Sequence, residues 1–370
     1  MSLVMVMAGG TGGHIFPALA VASELRDRGV DVVWLGTQNG MEARVVPQAG
    51  FPIEWISIRG LRGKGALGWL VSPVRILKAI VQSLSVLRKL RPVSVLGMGG
   101  FVAGPGGVSA KLLGIPLIIH EQNAAVGLTN KLLSRLANSV LSGFPKVEGL
   151  AKNFSWVGNP VRKFASSARV GDSPSRCPRV LITGGSQGAL KINQLMPEAF
   201  AFMASKELAE LGGELAINGE GNQAFEVWHQ TGANKKADVS MAYQRAGVAA
   251  RVDEFIEDMG DAYEWADIVV ARAGAMTVTE IAAAGLPSIL IPFPHAVGDH
   301  QTANANFLSR ADAALICQEV ETNAEDLAKT LYGLLGDRER MTKMGDRAAG
   351  LYKSDSASVI ADVCMEAGHA

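Results

Sequence analysis

Two stretches decide the fold: Leu3-Val4-Met5-Val6-Met7-Ala8-Gly9-Gly10-Thr11-Gly12-Gly13-His14 and Val180-Leu181-Ile182-Thr183-Gly184-Gly185-Ser186-Gln187-Gly188. Each is an apolar run, then a glycine loop, then a stretch of helical character, expected over 17–28 and 189–203. A strand, a glycine loop and a helix N-terminus together expose backbone N–H groups that can meet an anion. One such unit is common. Two of them, 175 residues apart, predict two nucleotide-fold domains facing each other across a cleft.

Around these loops, short apolar runs alternate with helical patterns, the mark of parallel sheets with crossover helices. Strands are expected near 3–8, 31–35, 52–56, 93–97, 116–120 and 138–141. In the second half they are expected near 179–183, 214–218, 248–251, 267–271 and 287–291. The Pro-, Ser-, Gly- and Arg-rich segment 158–178 reads as a linker, so the domains are expected at 1–160 and 161–354. A C-terminal helix, about 355–370, is free by sequence to pack on either.

The 370 residues suffice for two cores, and 48% apolar with 19% charged residues is a globular composition. Cys177, Cys317 and Cys364 form neither a close pair nor a metal spacing, which suits a reducing compartment. The N-terminus runs into a glycine loop without a basic region, so a buried strand is expected there and no signal peptide. No apolar stretch approaches the ~20 residues of a membrane span.

A net charge of zero conceals an asymmetry. Residues 1–160 hold 16 Lys and Arg against 7 Asp and Glu, and residues 161–370 hold 19 against 28. Between Glu54 and Glu121 there is no acid but nine basic residues, among them Arg62, Lys64, Arg75 and Lys78. Leu61, Leu67, Trp69 and Leu70 lie among the first of these. Apolar and basic residues without acid mark a membrane-facing surface, with Leu61, Lys64, Leu67, Trp69, Leu70 and Arg75 its members. The following helix is expected to begin with Ser72 as N-cap and Pro73 in its first turn. It is expected to be core, which leaves the preceding loop at the membrane.

Several chemistries are disfavoured. Neither loop has the G-x-G-x-x-G spacing, and the second strand ends in Gly36-Thr37 without the acid that holds a nicotinamide ribose. No Walker A loop is present. No D-x-D pair appears, so metal-chelated nucleotide binding is unsupported, and a diphosphate would be met by backbone N–H groups, a helix dipole and arginine. Polar clusters follow further strands: His120-Glu121-Gln122-Asn123, Arg272 to Glu280, and Asp299 to Asn304. In open α/β sheets ligands bind beyond the carboxyl ends of strands, so these clusters converge on the edge that carries the glycine loops.

Together with Gly60–Gly65, Leu96–Gly100, Val157–Arg162 and Phe255-Ile256, these motifs resemble the MurG family of bacterial transferases across residues 3 to about 310. The resemblance implies a GT-B type α/β fold of two Rossmann-like domains with parallel sheets and an interdomain cleft. It implies metal-independent, inverting transfer of N-acetylglucosamine from UDP-GlcNAc to the MurNAc 4-hydroxyl of lipid I, giving lipid II, with no cofactor. Carried over residue by residue, the donor site comprises Arg162, Ser186 and Gln187 at the diphosphate, Ile256 at the uracil, Met276, Thr277, Glu280 at the ribose, and His300 and Gln301 at the sugar. Gly10, Thr11, Gly12 and Gly13 would hold the acceptor, with Asn123 positioning it. Inversion needs a base for the attacking hydroxyl: His14 is the first choice and Glu121 the second. Expected partners are the substrates, the anionic cytoplasmic membrane surface, and cell-wall synthesis or division proteins, without nucleic acid. The implied location is peripheral, on the cytoplasmic face of the bacterial inner membrane. Between 199 and 228 the chain exceeds the typical member, and a longer helix and loop are expected there. Rival readings are a related GT-B enzyme or UDP-GlcNAc epimerase, a non-catalytic UDP-sugar sensor, and a dehydrogenase.

Overall fold

The computed structural model describes residues 2–58, 66–150, 153–161, 177–185, 189–204 and 225–368, with the backbone alone over 66–72. The chain forms two compact units, Met1–Arg162 with Lys353–Ala370, and Lys163–Tyr352. The strand expected at 214–218 and most of the expected linker lie outside the described residues.

The first unit runs β1 (Leu3–Met7), α1 (Gly12–Asp27), β2 (Asp31–Gly36), α2 (Glu42–Gln48), β3 (Ile53–Trp55), α3 (Ala66–Leu90), β4 (Ser94–Gly97), α4 (Ala103–Leu112), β5 (Leu117–Glu121), α5 (Leu128–Leu133), β6 (Ser139–Ser142) and β7 (Ser155–Trp156). Its strands lie in the order β3-β2-β1-β4-β5-β6-β7, all parallel. The interior strand β1 is apolar throughout because both its faces are covered. Val4 and Val6 point into the layer containing α1; Met5 and Met7 point into the layer containing α3 and α4.

The second unit runs β8 (Arg179–Thr183), α6 (Leu190–Met203), β9 (Glu226–Gln230), α7 (Lys236–Arg245), β10 (Arg251–Asp253), α8 (Met259–Trp265), β11 (Ile268–Ala271), α9 (Ala275–Ala284), β12 (Ser288–Leu290), α10 (His300–Ser309), β13 (Ala314–Ile316), α11 (Ala324–Leu335) and α12 (Arg338–Leu351). Its parallel sheet has the order β10-β9-β8-β11-β12-β13. The final helix, α13 (Ser356–Ala367), belongs to the first unit. There Ile360, Ala361 and Cys364 are fully buried, Ser94 Oγ donates to the Cys364 carbonyl at 2.7 Å, and Arg28 pairs with Asp362.

Four local readings are corrected. Helix α1 begins at Gly12, five residues before the expected start, with Thr11 as its extended N-cap, so His14 belongs to the first helical turn. Helix α3 begins at Ala66, so Ser72 is no cap and Pro73 lies inside the helix. There the proline forfeits the hydrogen bond its nitrogen would have made one turn back. Nor is α3 simply core: Ala79, Ser83 and Leu87 are buried, but Val74, Leu77 and Val81 are 67, 62 and 58% exposed. The strand expected at 248–251 forms at Arg251–Asp253, because Val248 N–H closes the end of α7 on the Tyr243 carbonyl at 3.0 Å.

Strands β7, β9 and β13 escaped the sequence reading. In β9, Glu-Val-Trp-His-Gln lacks an apolar pattern because His229 is buried between partners of its own. Its Nδ1 meets the Tyr243 hydroxyl at 2.9 Å and its Nε2 the Asn193 amide oxygen at 3.1 Å.

Candidate active site

In the first unit the glycine loop leaves β1 and enters α1 with Gly10, Thr11 and Gly13 exposed and Gly12 and His14 half-buried. Thr11 Oγ1 and His14 Nδ1 are 3.3 Å apart. The loop is held from two sides. Glu42, buried at the start of α2, accepts Gly10 N–H at 3.1 Å, Thr37 N–H at 3.1 Å and Thr37 Oγ1–H at 2.7 Å. Three donors offset the cost of burying its charge. On the other side Gly99 and Gly100 follow β4. A Cβ on Gly99 would stand 2.8 Å from His14 Cδ2, and one on Gly100 would strike the Gly9 carbonyl. The glycines thus let the His14 ring and the loop backbone approach β4.

At the end of β5, Glu121 is buried and accepts four hydrogen bonds. Asn123 N–H and Nδ2–H reach Oε1 at 3.0 and 3.2 Å; Gly127 N–H and Asn130 Nδ2–H reach Oε2 at 3.1 and 2.9 Å. The carboxylate therefore shapes the turn that presents Asn123. His120, fully buried, donates from Nε2 to the Gly158 carbonyl at 2.9 Å and accepts Gln122 Nε2–H on Nδ1 at 3.2 Å. Burial pulls its pKa down to about 4, against a smaller upward effect of the Gly158 bond. Asn159 Nδ2 donates in turn to the Gln122 carbonyl at 3.0 Å. These partners make His120, Gln122 and Asn159 a lacing of β5 to the 157–161 segment.

In the second unit the described members of the expected donor set stand beyond the carboxyl ends of β10, β11 and β12. Gly185 N–H donates to Thr183 Oγ1, which donates to Gln230 Oε1. Ile256 is buried beside an exposed Phe255. Met276, Thr277 and Glu280 lie half-buried on α9, whose N-cap is Gly274. The Tyr263 hydroxyl donates to Glu280 Oε2 at 3.1 Å, and burial, then this carboxylate, pushes the phenol pKa well up. Gln301, in the first turn of α10 beside His300, accepts Phe293 N–H at 2.9 Å, which turns its Nε2 to other acceptors. Asn304 ties α10 to the Ala273 carbonyl at 3.1 Å.

Arg162, Ser186, Gln187, Leu61 and Lys64 lie outside the described residues, as do the side chains of Leu67, Trp69 and Leu70. Arg75 is exposed on α3. Glu42, Asn130 and Tyr263 escaped the sequence reading. Arg272 was seen only as part of a polar cluster. It is nearly buried at the end of β11, bonds the Ile291 and Pro292 carbonyls and pairs with Glu319.

Residues 4–142 match the glycosyltransferase family 28 N-terminal domain, and residues 179–361 match the family 28 C-terminal domain. The chain is a family 28 glycosyltransferase. This family 28 enzyme is 47% identical, over 98% of both chains, to the UDP-N-acetylglucosamine–N-acetylmuramyl-(pentapeptide) pyrophosphoryl-undecaprenol N-acetylglucosamine transferase of Methylococcus capsulatus. Among solved structures it is similar to Acinetobacter baumannii MurG, with a TM-score of 0.81 and 36% identity, covering 99% of this chain and 100% of that one. A glycotransferase of kitacinnamycin shares the fold alone, with a TM-score of 0.68, 16% identity and 97 and 98% coverage. Two Rossmann-like domains in one glycosyltransferase chain constitute the GT-B fold.

Proposed function

We propose that this enzyme transfers N-acetylglucosamine from UDP-GlcNAc to the MurNAc 4-hydroxyl of lipid I, giving lipid II, with inversion and without a metal. The N-terminal unit takes the acceptor and the C-terminal unit the donor. The observation that carries the reading is the exposed loop Gly10–Gly13 at the N-terminus of a 16-residue helix, with an imidazole in the first turn. Backbone N–H groups and the helix dipole suit the acceptor diphosphate. His14 is the base: with Nδ1–H donating to Thr11, Nε2 receives the hydroxyl proton as the oxygen attacks the anomeric carbon and UDP departs. Glu121, already accepting four donors, positions Asn123 rather than taking the proton.

On the donor side, Glu280 accepts the ribose hydroxyls, held in place by Tyr263. The Gln301 amide reads the sugar, with His300 beside it. Ile256 receives the uracil through its backbone, while Met276 and Thr277 line the turn near the diphosphate. Arg162, Ser186 and Gln187 complete that diphosphate site in this reading.

The test is transfer of labelled GlcNAc to a short-chain lipid I analogue in EDTA. Wild type is expected to form product, and His14→Ala to lose about 10²–10⁴-fold in kcat with UDP binding unchanged. Undiminished turnover by His14→Ala would remove it as the base.

The enzyme works as a peripheral protein on the cytoplasmic face of the inner membrane. No described helix is long and apolar enough to cross a bilayer. Helices α3, α4 and α5 pack in sequence. They expose Val74, Leu77 and Val81, then Leu112, then Leu128 and Leu132, with Lys111, Lys131 and Arg135 interspersed. Such a surface suits anionic lipid. Leu77→Glu should weaken sedimentation with anionic vesicles while leaving turnover of the short-chain acceptor intact. Unchanged sedimentation would count against this face.

A further inference from the structure

A polar cavity of about 530 Å³ opens at the carboxyl ends of β2 and β3, with Thr37, Gln38, Asn39, Ser57, Arg75 and Lys78 in its walls. No role assigned above uses it as a site. It is coupled to the acceptor loop by one carboxylate: Glu42 Oε1 holds Thr37 in the cavity wall, and Glu42 Oε2 holds Gly10 in the loop. Wall and loop are therefore neighbours, separated by the width of a carboxyl group and two hydrogen bonds.

The cavity is also cationic. Among the described residues Arg75 and Lys78 have no hydrogen-bond or ion-pair partner. The acids of this region are engaged, Glu42 by the loop and Glu54 by Lys89 at 3.1 Å. At about 100° per residue, Arg75, Lys78 and Gln82 form one strip of α3. The exposed row Val74, Leu77 and Val81 forms the strip beside it. Gln82 is fixed in the wall by accepting Ser57 N–H at 2.8 Å. The amides and hydroxyls around the two cations suit a peptide chain, which needs both donors and acceptors.

We propose that this cavity is the subsite for the acceptor's peptide stem, with Arg75 and Lys78 receiving a peptide carboxylate. The assignment rests on the lipid I reading. In that acceptor the diphosphate and the peptide leave the same sugar ring, so a cavity next to the diphosphate loop is where the peptide arrives. Arg75 then serves the substrate, while the apolar strip beside it serves the lipid surface.

The test compares two short-chain lipid I analogues in detergent, one with free peptide carboxylates and one with every carboxylate amidated. Amidation is expected to raise the wild-type acceptor KM about tenfold, as loss of a charge-assisted contact would. The double variant Arg75→Gln/Lys78→Gln should show that raised KM with both acceptors alike, with the KM for UDP-GlcNAc unchanged. Both side chains are exposed, so folding is not at stake. Wild type indifferent to amidation, or a double variant that still discriminates, overturns the proposal. Loss of binding to anionic vesicles by a still-discriminating variant would instead assign the cations to a lipid headgroup. Failure of wild type to glycosylate either analogue would sink the lipid I reading beneath it.

Discussion

His120 and His229 show how far burial sets the behaviour of single residues here. Both are buried and hydrogen-bonded, and loss of hydration lowers their pKa values to about 4 and about 3. Their neutral forms belong to the folded state, whereas the unfolded chain protonates them below its pKa of about 6.5. The unfolded state therefore binds more protons between these limits. The stability is fully present above about pH 6.5 and is lost as pH falls towards the folded values. Each ring should cost roughly 2 kcal/mol between pH 7 and pH 5. Urea unfolding at those two pH values checks this, and a His229→Gln variant should flatten the dependence. A pH-independent midpoint in wild type would mean that the rings are hydrated. At the same scale, Glu121 and Glu42 are carboxylates whose lone pairs are directed at backbone N–H groups and neighbouring amide and hydroxyl donors. That fits both for shaping loops.

At the scale of elements, the glycine loop after β1 depends on a second glycine pair that is remote in sequence. Gly99 and Gly100 have φ of +98° and +82°, the left-handed region where a side chain is strained. The two should fail differently. Gly100→Ala drives a Cβ into backbone, which has no room to move, and should cost on the order of 3 kcal/mol in a thermal or urea melt. Gly99→Ala meets the His14 ring, which can swing aside, so stability should fall by only ~1 kcal/mol. With His14 as the proposed base, its displacement should lower kcat by about 10²-fold. Equal losses of stability in the two variants would contradict this division. Helix α3 carries two further duties on adjacent strips, an exposed apolar row and a cationic wall. Its buried face is narrow because Ala79 and Ser83 let it lie close to the layer beneath, where Ser109 Oγ reaches the Ile80 carbonyl at 3.1 Å.

At the scale of the whole molecule, the chain crosses to its second unit once and returns with α13. Arg28 meets Asp362 across 334 residues of sequence, and Ile360, Ala361 and Cys364 complete the core containing Val4 and Val6. A chain ending at Tyr352 should therefore lose the folding transition of the N-terminal unit and keep that of the C-terminal one. Calorimetry of the truncated chain checks this, and two intact transitions would show α13 to be dispensable. Much of the architecture was legible beforehand, because a covered parallel strand must be apolar and a tight strand-to-helix turn favours glycine. Those demands are local, and they are written in Leu3–Met7, Val180–Ile182 and the loops after them. The tertiary structure alone decided that α1 begins at Gly12, that β9 tolerates a buried histidine, and that α3 leaves three apolar residues exposed. It alone paired Glu42 with Gly10, Tyr263 with Glu280 and α13 with the first unit. Each of these depends on a partner distant in the chain, and short-range pattern carries no record of which distant group will supply a hydrogen bond or cover an apolar face.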